Sequence, residues 1–176
     1  MELKFRNLKP SEIDVRIATL NEKGATLLLY KDARVDMDIL DETVGATNWQ
    51  RHHIRENANC IVSIWDNDKK QWISKEDTGT ESNTEKEKGL ASDSFKRACF
   101  NWGIGRELYT SPFIWIPSDK MQIIDTGKTD AKGKKVYTSY DKFKVEAIEI
   151  TDNEITGLAI INQKGERVFT YRKVAK

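Results

Sequence analysis

Two histidines, two cysteines and three prolines among 176 residues leave few of the side chains on which metal and nucleophilic chemistry is built. His52 and His53 are adjacent, so on a strand they point to opposite faces and are badly placed to share a metal or a proton. Cys60 and Cys99 lie within apolar patterns and form no CxxC pair, which reads as two buried free thiols of a reducing compartment. No apolar run approaches the roughly 18 residues that a membrane helix needs. The first ten residues contain no signal-peptide core, so a cytoplasmic protein with no membrane partner is expected. A dominant sign of charge is missing too, since the net charge is only +1. That argues against a chain coated in basic residues, and any nucleic-acid site has to come from local clustering.

Cofactor motifs fail on context. Gly127-Lys128-Thr129 has the ending of a phosphate-binding loop, but the first glycine of that motif would fall at Gln122, and the stretch reads as a polar loop. Gly103-Ile104-Gly105 follows a helix, whereas a dinucleotide fingerprint precedes one. No Ser or Cys occupies a nucleophile elbow. The expectation is therefore a protein without cofactor, metal or catalytic centre. The strongest enzyme alternative is a magnesium-dependent nuclease, with Glu76 and Asp77 at a strand end as its carboxylates. Asp68-x-Lys70 and Asp130-x-Lys132 also have a nuclease spacing, although both fall in turns.

What the chain does have is periodicity. In residues 84–109, Ala91, Phe95, Ala98, Cys99 and Trp102 form one apolar helical stripe, ended by Gly103 and Gly105. Capping boxes are available from Thr84 with Glu87 and from Ser82 with Glu85. Residues 10–20 read as a short helix through Ile13, Ile17 and Leu20, and residues 25–30 as a buried strand. Residues 32–44 read as a helix closed by Gly45, with Asp36, Asp38, Asp41 and Glu42 on a polar acidic face. Three strands follow in residues 48–57, 59–65 and 71–80, a β-meander under the long helix. Residues 111–117 read as an extended edge segment and residues 125–139 as a mobile Gly/Lys-rich loop. Three alternating strands complete the chain at 142–150, 154–161 and 167–172, with turns at Asp152-Asn153 and Lys164-Gly165.

The predicted fold class is α+β, an antiparallel β-meander packed on a long helix (a β-β-β-α core) with an additional C-terminal β-rich extension. Residues 1–111 would form the core, and residues 112–176 an extension packed on it or on a neighbouring subunit. Turning about 100° per residue from Phe95 puts Arg97 opposite the stripe and Lys96 on its shoulder. With Arg51, Arg55 and His52 on a strand, and with Arg16, Lys23 and Arg34, these cations could line a groove for the phosphates of single-stranded DNA. The five tryptophans read as core rather than as stacking platforms.

The run Ala91-Ser92-Asp93-Ser94-Phe95-Lys96-Arg97-Ala98, with Trp102-Gly103 and Glu107-Leu108-Tyr109, resembles the helix of the Rad-fifty-two superfamily of single-strand annealing proteins. Glu76-Asp77-Thr78-Gly79, Gly45 with Trp49, and Arg34-Val35 resemble further motifs of that family in the same order, and the short chain is most similar to its bacteriophage, Sak-type members. The resemblance spans residues 15–109 and not the strands beyond Pro117. It implies ATP-independent binding of single-stranded DNA and annealing of complementary strands in recombination and repair, inside a bacterial host cell. It also implies a homo-oligomeric ring or helical filament, with a host or phage single-stranded DNA-binding protein as a further partner. Lys96, Arg97 and Arg16 would contact the DNA backbone. The chain departs from the family at Phe100, where a further arginine is common, and at the short Glu56-Asn57-Ala58-Asn59 turn, where the family has a basic hairpin. A strand-coating protein that protects without annealing would share the same basic residues.

Overall fold

The computed structural model describes residues 3–80 and 86–174, so the capping boxes from Ser82 and Thr84 lie outside the described residues. The chain divides into two compact units interleaved in sequence: residues 1–7 with 32–106, and residues 8–31 with 107–176.

The expected fold class does not hold. The chain is mostly β, with 46% strand against 23% helix. Its largest sheet has six antiparallel strands. Two of them, β1 (Asp14–Asn21) and β2 (Gly24–Tyr30), come from the N-terminal part. The others are β6 (Ile114–Pro117), β9 (Phe143–Thr151), β10 (Glu154–Asn162) and β11 (Arg167–Arg172). Their order across the sheet is β11-β10-β9-β1-β2-β6. The end strands β6 and β11 also meet, so the sheet is nearly closed into a barrel. A β-meander on a long helix is therefore not what organises this chain. Leu27, Ile116, Phe143, Ile155, Ile160 and Val168 fill the interior of the six-stranded sheet. Ile155 and Ile160, an odd number of residues apart on β10, both reach it because the register with β9 slips between Ile155 and Gly157.

Residues 14–21 are a strand where a helix was expected, and the reason is local. Val15 and Ile17 alternate inward, then the register with β2 slips between Ile17 and Thr19. The irregularity brings Leu20 back to the inner face. Ile13, Ile17 and Leu20 thus acquire helix-like spacing while the backbone stays extended. Only Pro10–Glu12 is helical, as one 3-10 turn. Residues 125–139 are likewise not a plain loop, since β7 (Ile124–Thr129) and β8 (Lys135–Thr138) pair as a two-stranded hairpin.

In the same unit Glu107, only 2% exposed, accepts the Leu8 N–H at 2.7 Å, and Thr110 Oγ1 accepts the Ile155 N–H at 2.8 Å. A buried backbone N–H left unpaired would cost about 1–3 kcal/mol, so the Glu107 of the family-like ending has a structural task here.

The other unit contains α1 (Ala33–Val44), α2 (Lys86–Trp102) and a three-stranded antiparallel sheet of β3 (Trp49–Ile54), β4 (Asn59–Asp66) and β5 (Gln71–Thr78). Asp32 caps α1 by accepting the Arg34 N–H at 2.8 Å, and the Gly45 N–H at the other end bonds to Asp41 O at 3.0 Å. Asp36, expected on the exposed acidic face, is instead fully buried. On α2, Phe95, Ala98 and Cys99 are fully buried, and the Trp102 indole N–H donates to Val62 O at 3.0 Å.

Candidate nucleic-acid interface

The strand register decides which side chains of β3–β5 face α2. Trp49, Arg51 and His53 lie opposite Ile64, Val62 and Cys60, and these in turn oppose Ile73, Lys75 and Asp77. With a period of two, this whole set shares one face of the sheet, and Gln50, His52, Ile61 and Glu76 share the other. Phe95 is the centre of the helix-facing side. Trp49 stacks on it with ring centroids 6.1 Å apart, and the Arg51 guanidinium lies 4.8 Å from its centroid while Arg51 itself stays exposed. The contact is a cation–π seat that fixes where Arg51 points.

Lys96 and Arg97 leave the buried stripe in different directions, Lys96 toward the field of Asp32 and Arg97 to a direct contact with Asp77. Lys96, half-buried, lies in the field of Asp32. Arg34 bonds Asp32 through its side chain and its N–H, and with the nearby Lys96 it holds that carboxyl below the usual range. The Arg34 side chain remains 82% exposed. Arg97 Nε donates to Asp77 Oδ1 at 3.3 Å, and Asn101 Nδ2 donates to Asp77 Oδ2 at 3.2 Å. Arg97 is tethered at Nε, with 44% of its side chain exposed. Arg55 stands exposed in the β3–β4 turn, where Arg55, Glu56 and Asn57 are all left-handed, with φ of 53°, 53° and 69°. That turn is tied to α2, because Ser94 Oγ donates to Asn57 O at 3.0 Å.

Five of the expected site residues, Arg34, Arg51, Arg55, Lys96 and Arg97, therefore belong to one unit. Arg16 and Lys23 belong to the other. Arg16 is exposed on β1, 6.0 Å from the Tyr30 ring, and Lys23 is exposed in the turn between β1 and β2.

The nuclease carboxylates do not converge. Glu76 and Asp77 point to opposite faces of β5. Glu76 accepts from Asn59, and Asp77 is occupied by Arg97, Asn101 and the Thr78 N–H. Among the described residues no group of three or more His, Cys, Asp or Glu is placed to hold a metal. Cys60 is equally unreactive, its thiol pushed up to about 11 by burial.

His53 faces α2, with Nδ1 3.4 Å from Ser94 Oγ, and His52 is exposed on the other side. Burial, then the Arg51 and His52 charges, hold His53 below its ordinary value of 6.5. The unfolded chain thus binds the proton more readily, so stability rises with pH in this window. The contribution is complete above the unfolded value and is lost as pH falls through the lowered, folded one. Urea unfolding of the wild type should show a lower midpoint at pH about 5 than at pH about 7.5, and His53→Gln should shrink that difference. An unaltered difference would remove His53 as its source.

Some residues of this region were not foreseen. Lys75 lies 4.7 Å from the Trp102 ring centroid and donates to Asn101 O at 2.8 Å. Arg106 donates to Phe100 O at 2.8 Å and Asn101 O at 2.9 Å, and its guanidinium lies 5.5 Å from the Phe100 ring. Both cations satisfy the last carbonyls of α2, where helix ends otherwise leave acceptors open. For Arg106 the sequence signal was present, a basic residue just past a helix end, whereas Lys75 comes from β5 and carries no such local signal.

Comparison of the chain with protein-family models, with curated proteins and with solved structures gives no match. Among the described residues no helix is long and apolar enough to cross a membrane.

Proposed function

We propose that this chain binds single-stranded DNA through its phosphates and anneals complementary strands without ATP, as a homo-oligomer acting in the cytoplasm of a bacterial host. The observation that carries the reading is the gathering of five cations in the unit of α2, three of which, Arg97, Arg51 and Arg34, are held by contacts of their own. Lys96 and Arg97 are on the helix, Arg51 sits on Phe95, Arg34 is bonded to Asp32, in whose field Lys96 lies, and Arg55 stands in the turn that Ser94 holds. Cations fixed in advance lose less side-chain entropy when a phosphate arrives. A strand held by its phosphates keeps its base edges free to pair with a second strand, and that requires no covalent step. The resemblance of residues 15–109 to single-strand annealing proteins supports the same reading.

The test is fluorescence anisotropy of a labelled single strand across a salt series, together with an annealing assay. Wild type should bind with a strong salt dependence. Arg51→Ala with Lys96→Ala should make the slope of log K against log salt shallower by roughly 1.4, two phosphate contacts at about 0.7 each. Salt-independent binding would sink the phosphate reading. Cleavage of the strand in magnesium that vanishes in Asp77→Ala would favour the nuclease, and protection without annealing would favour a strand-coating protein. Electron microscopy of negatively stained protein should show a ring or a helical filament.

A further inference from the structure

The second unit carries a basic projection that the site on α2 does not use. The β7–β8 hairpin contains Asp125, Lys128, Asp130, Lys132, Lys134 and Lys135. Its carboxylates are consumed by its own architecture. Asp125 accepts the Gly127 N–H at 2.9 Å and Lys135 Nζ at 3.0 Å. Asp130 Oδ1 accepts the N–H groups of Lys132 and Lys134, at 2.8 and 2.9 Å. Two further backbone bonds, Asp130 N–H to Lys134 O and Gly133 N–H to Asp130 O, close the tip, with Gly133 at a φ of 74°. Lys128, Lys132 and Lys134 are left exposed, and they make no ion pair among the described residues. The acids shape the hairpin while these lysines stay exposed on it.

Two neighbours extend this projection. The Tyr137 hydroxyl donates to Glu22 Oε2 at 3.4 Å, which lays β8 beside the β1–β2 turn and its exposed Lys23. Beyond β8, Tyr140 is 77% exposed in a segment pinned on its far side, where Asp141 accepts from the Gln122 N–H and from Gln163 Nε2. An ordered run of lysines followed by a presented aromatic ring suits an extended polyanion with stackable faces. It suits an acidic peptide less well, since a peptide offers no base to Tyr140. The cations are lysines, point charges without the fork that reads planar groups, so contact would be independent of sequence.

We infer that the β7–β8 hairpin, with Lys23 and Tyr140, is a second contact for single-stranded nucleic acid, taking phosphates on Lys128, Lys132 and Lys134 and a base on Tyr140. The inference rests on the reading of the chain as a single-stranded DNA-binding protein and adds a site on the other unit.

The test is anisotropy of a fluorescein-labelled oligothymidylate over a salt series, for wild type and for the triple variant Lys128→Ala, Lys132→Ala, Lys134→Ala. The triple variant should lose about 2 in salt slope, three contacts at roughly 0.7 each, and the Lys→Arg triple variant should keep the slope. Tyr140→Ala should weaken binding about tenfold, with Tyr140→Phe close to wild type. Urea unfolding midpoints should be unchanged in all of these, because every altered side chain is exposed. An unchanged slope in the alanine triple overturns the hairpin site while leaving the α2 site standing. Absence of any binding by wild type overturns both. If the wild-type hairpin instead captures an oligoglutamate peptide and the DNA slope is unmoved, the surface serves an acidic protein and the inference fails.

Discussion

Gly79→Ala lowers the thermal unfolding midpoint by roughly 3–10 °C, an effect far larger than its single methyl implies. Gly79 follows β5, and its N–H donates to Ala58 O at 2.8 Å. A Cβ at that position would lie 2.5 Å from the backbone N of Ser94, 2.8 Å from Leu90 O and 3.0 Å from Ser94 Cα. These are helix backbone atoms, so relief requires moving α2 or the end of β5. Moving α2 disturbs Phe95, Ala98 and Cys99, all fully buried. Overpacking of this kind costs about 1–3 kcal/mol, a large share of a domain stability of about 5–15 kcal/mol. Gly133→Ala is the useful contrast. Its φ of 74° is left-handed, but nothing lies within 4 Å of the added Cβ, so only backbone strain of about 1–2 kcal/mol applies. Because Gly79 is limited by space, Gly79→Ser should be no better than Gly79→Ala in a calorimetric scan. A midpoint equal to wild type in Gly79→Ala would mean that β5 and α2 are not held this closely.

That close approach explains a motif that the sequence offered only as a likeness. Glu76-Asp77-Thr78-Gly79 looked like a family marker, and each member has a separate physical task. Glu76 accepts from Asn59 on one face, Asp77 receives Arg97 and Asn101 on the other, and Gly79 lets the helix come near. The stripe on α2 and the Gly45 cap of α1 were legible because both depend on residues within a turn or two. The six-stranded sheet was not legible. Its β1–β9 junction pairs Asp14 with Lys144, far apart in sequence, and no local pattern records such a pairing. The slip between Ile17 and Thr19 disguised β1 as a helix, and glycine, lysine and aspartate in β7–β8 lowered its strand signal. At the candidate site, the helical period separated Lys96 from Arg97. It could not show that Asp77 on β5 would receive Arg97, or that Lys96 would lie in the field of Asp32.

Phe95 ties the core to the candidate site, and two substitutions separate its roles. Phe95→Ala removes a fully buried ring and should cost about 3–5 kcal/mol, which consumes most of the stability of a unit at the low end of the range of about 5–15 kcal/mol. Loss of DNA binding in that variant would follow from unfolding alone and decides nothing about Arg51. Phe95→Leu keeps most of the apolar volume, at a cost on the order of 1–2 kcal/mol, so the protein should still unfold cooperatively at a reduced midpoint. What it takes away is the quadrupole beneath the Arg51 guanidinium, now 4.8 Å from the ring centroid. A cation–π contact at an exposed site is worth about 0.5–1 kcal/mol, so single-strand affinity should fall roughly two- to fivefold. The double variant with Arg51→Ala supplies the control. If the ring acts by aiming Arg51, Phe95→Leu adds nothing once Arg51 is alanine, and the two losses are non-additive in a double-mutant cycle. Fully additive losses would mean that Phe95 influences binding only through the packing of α2. Arg51 would then be an independent contact, placed by β3 rather than by the ring.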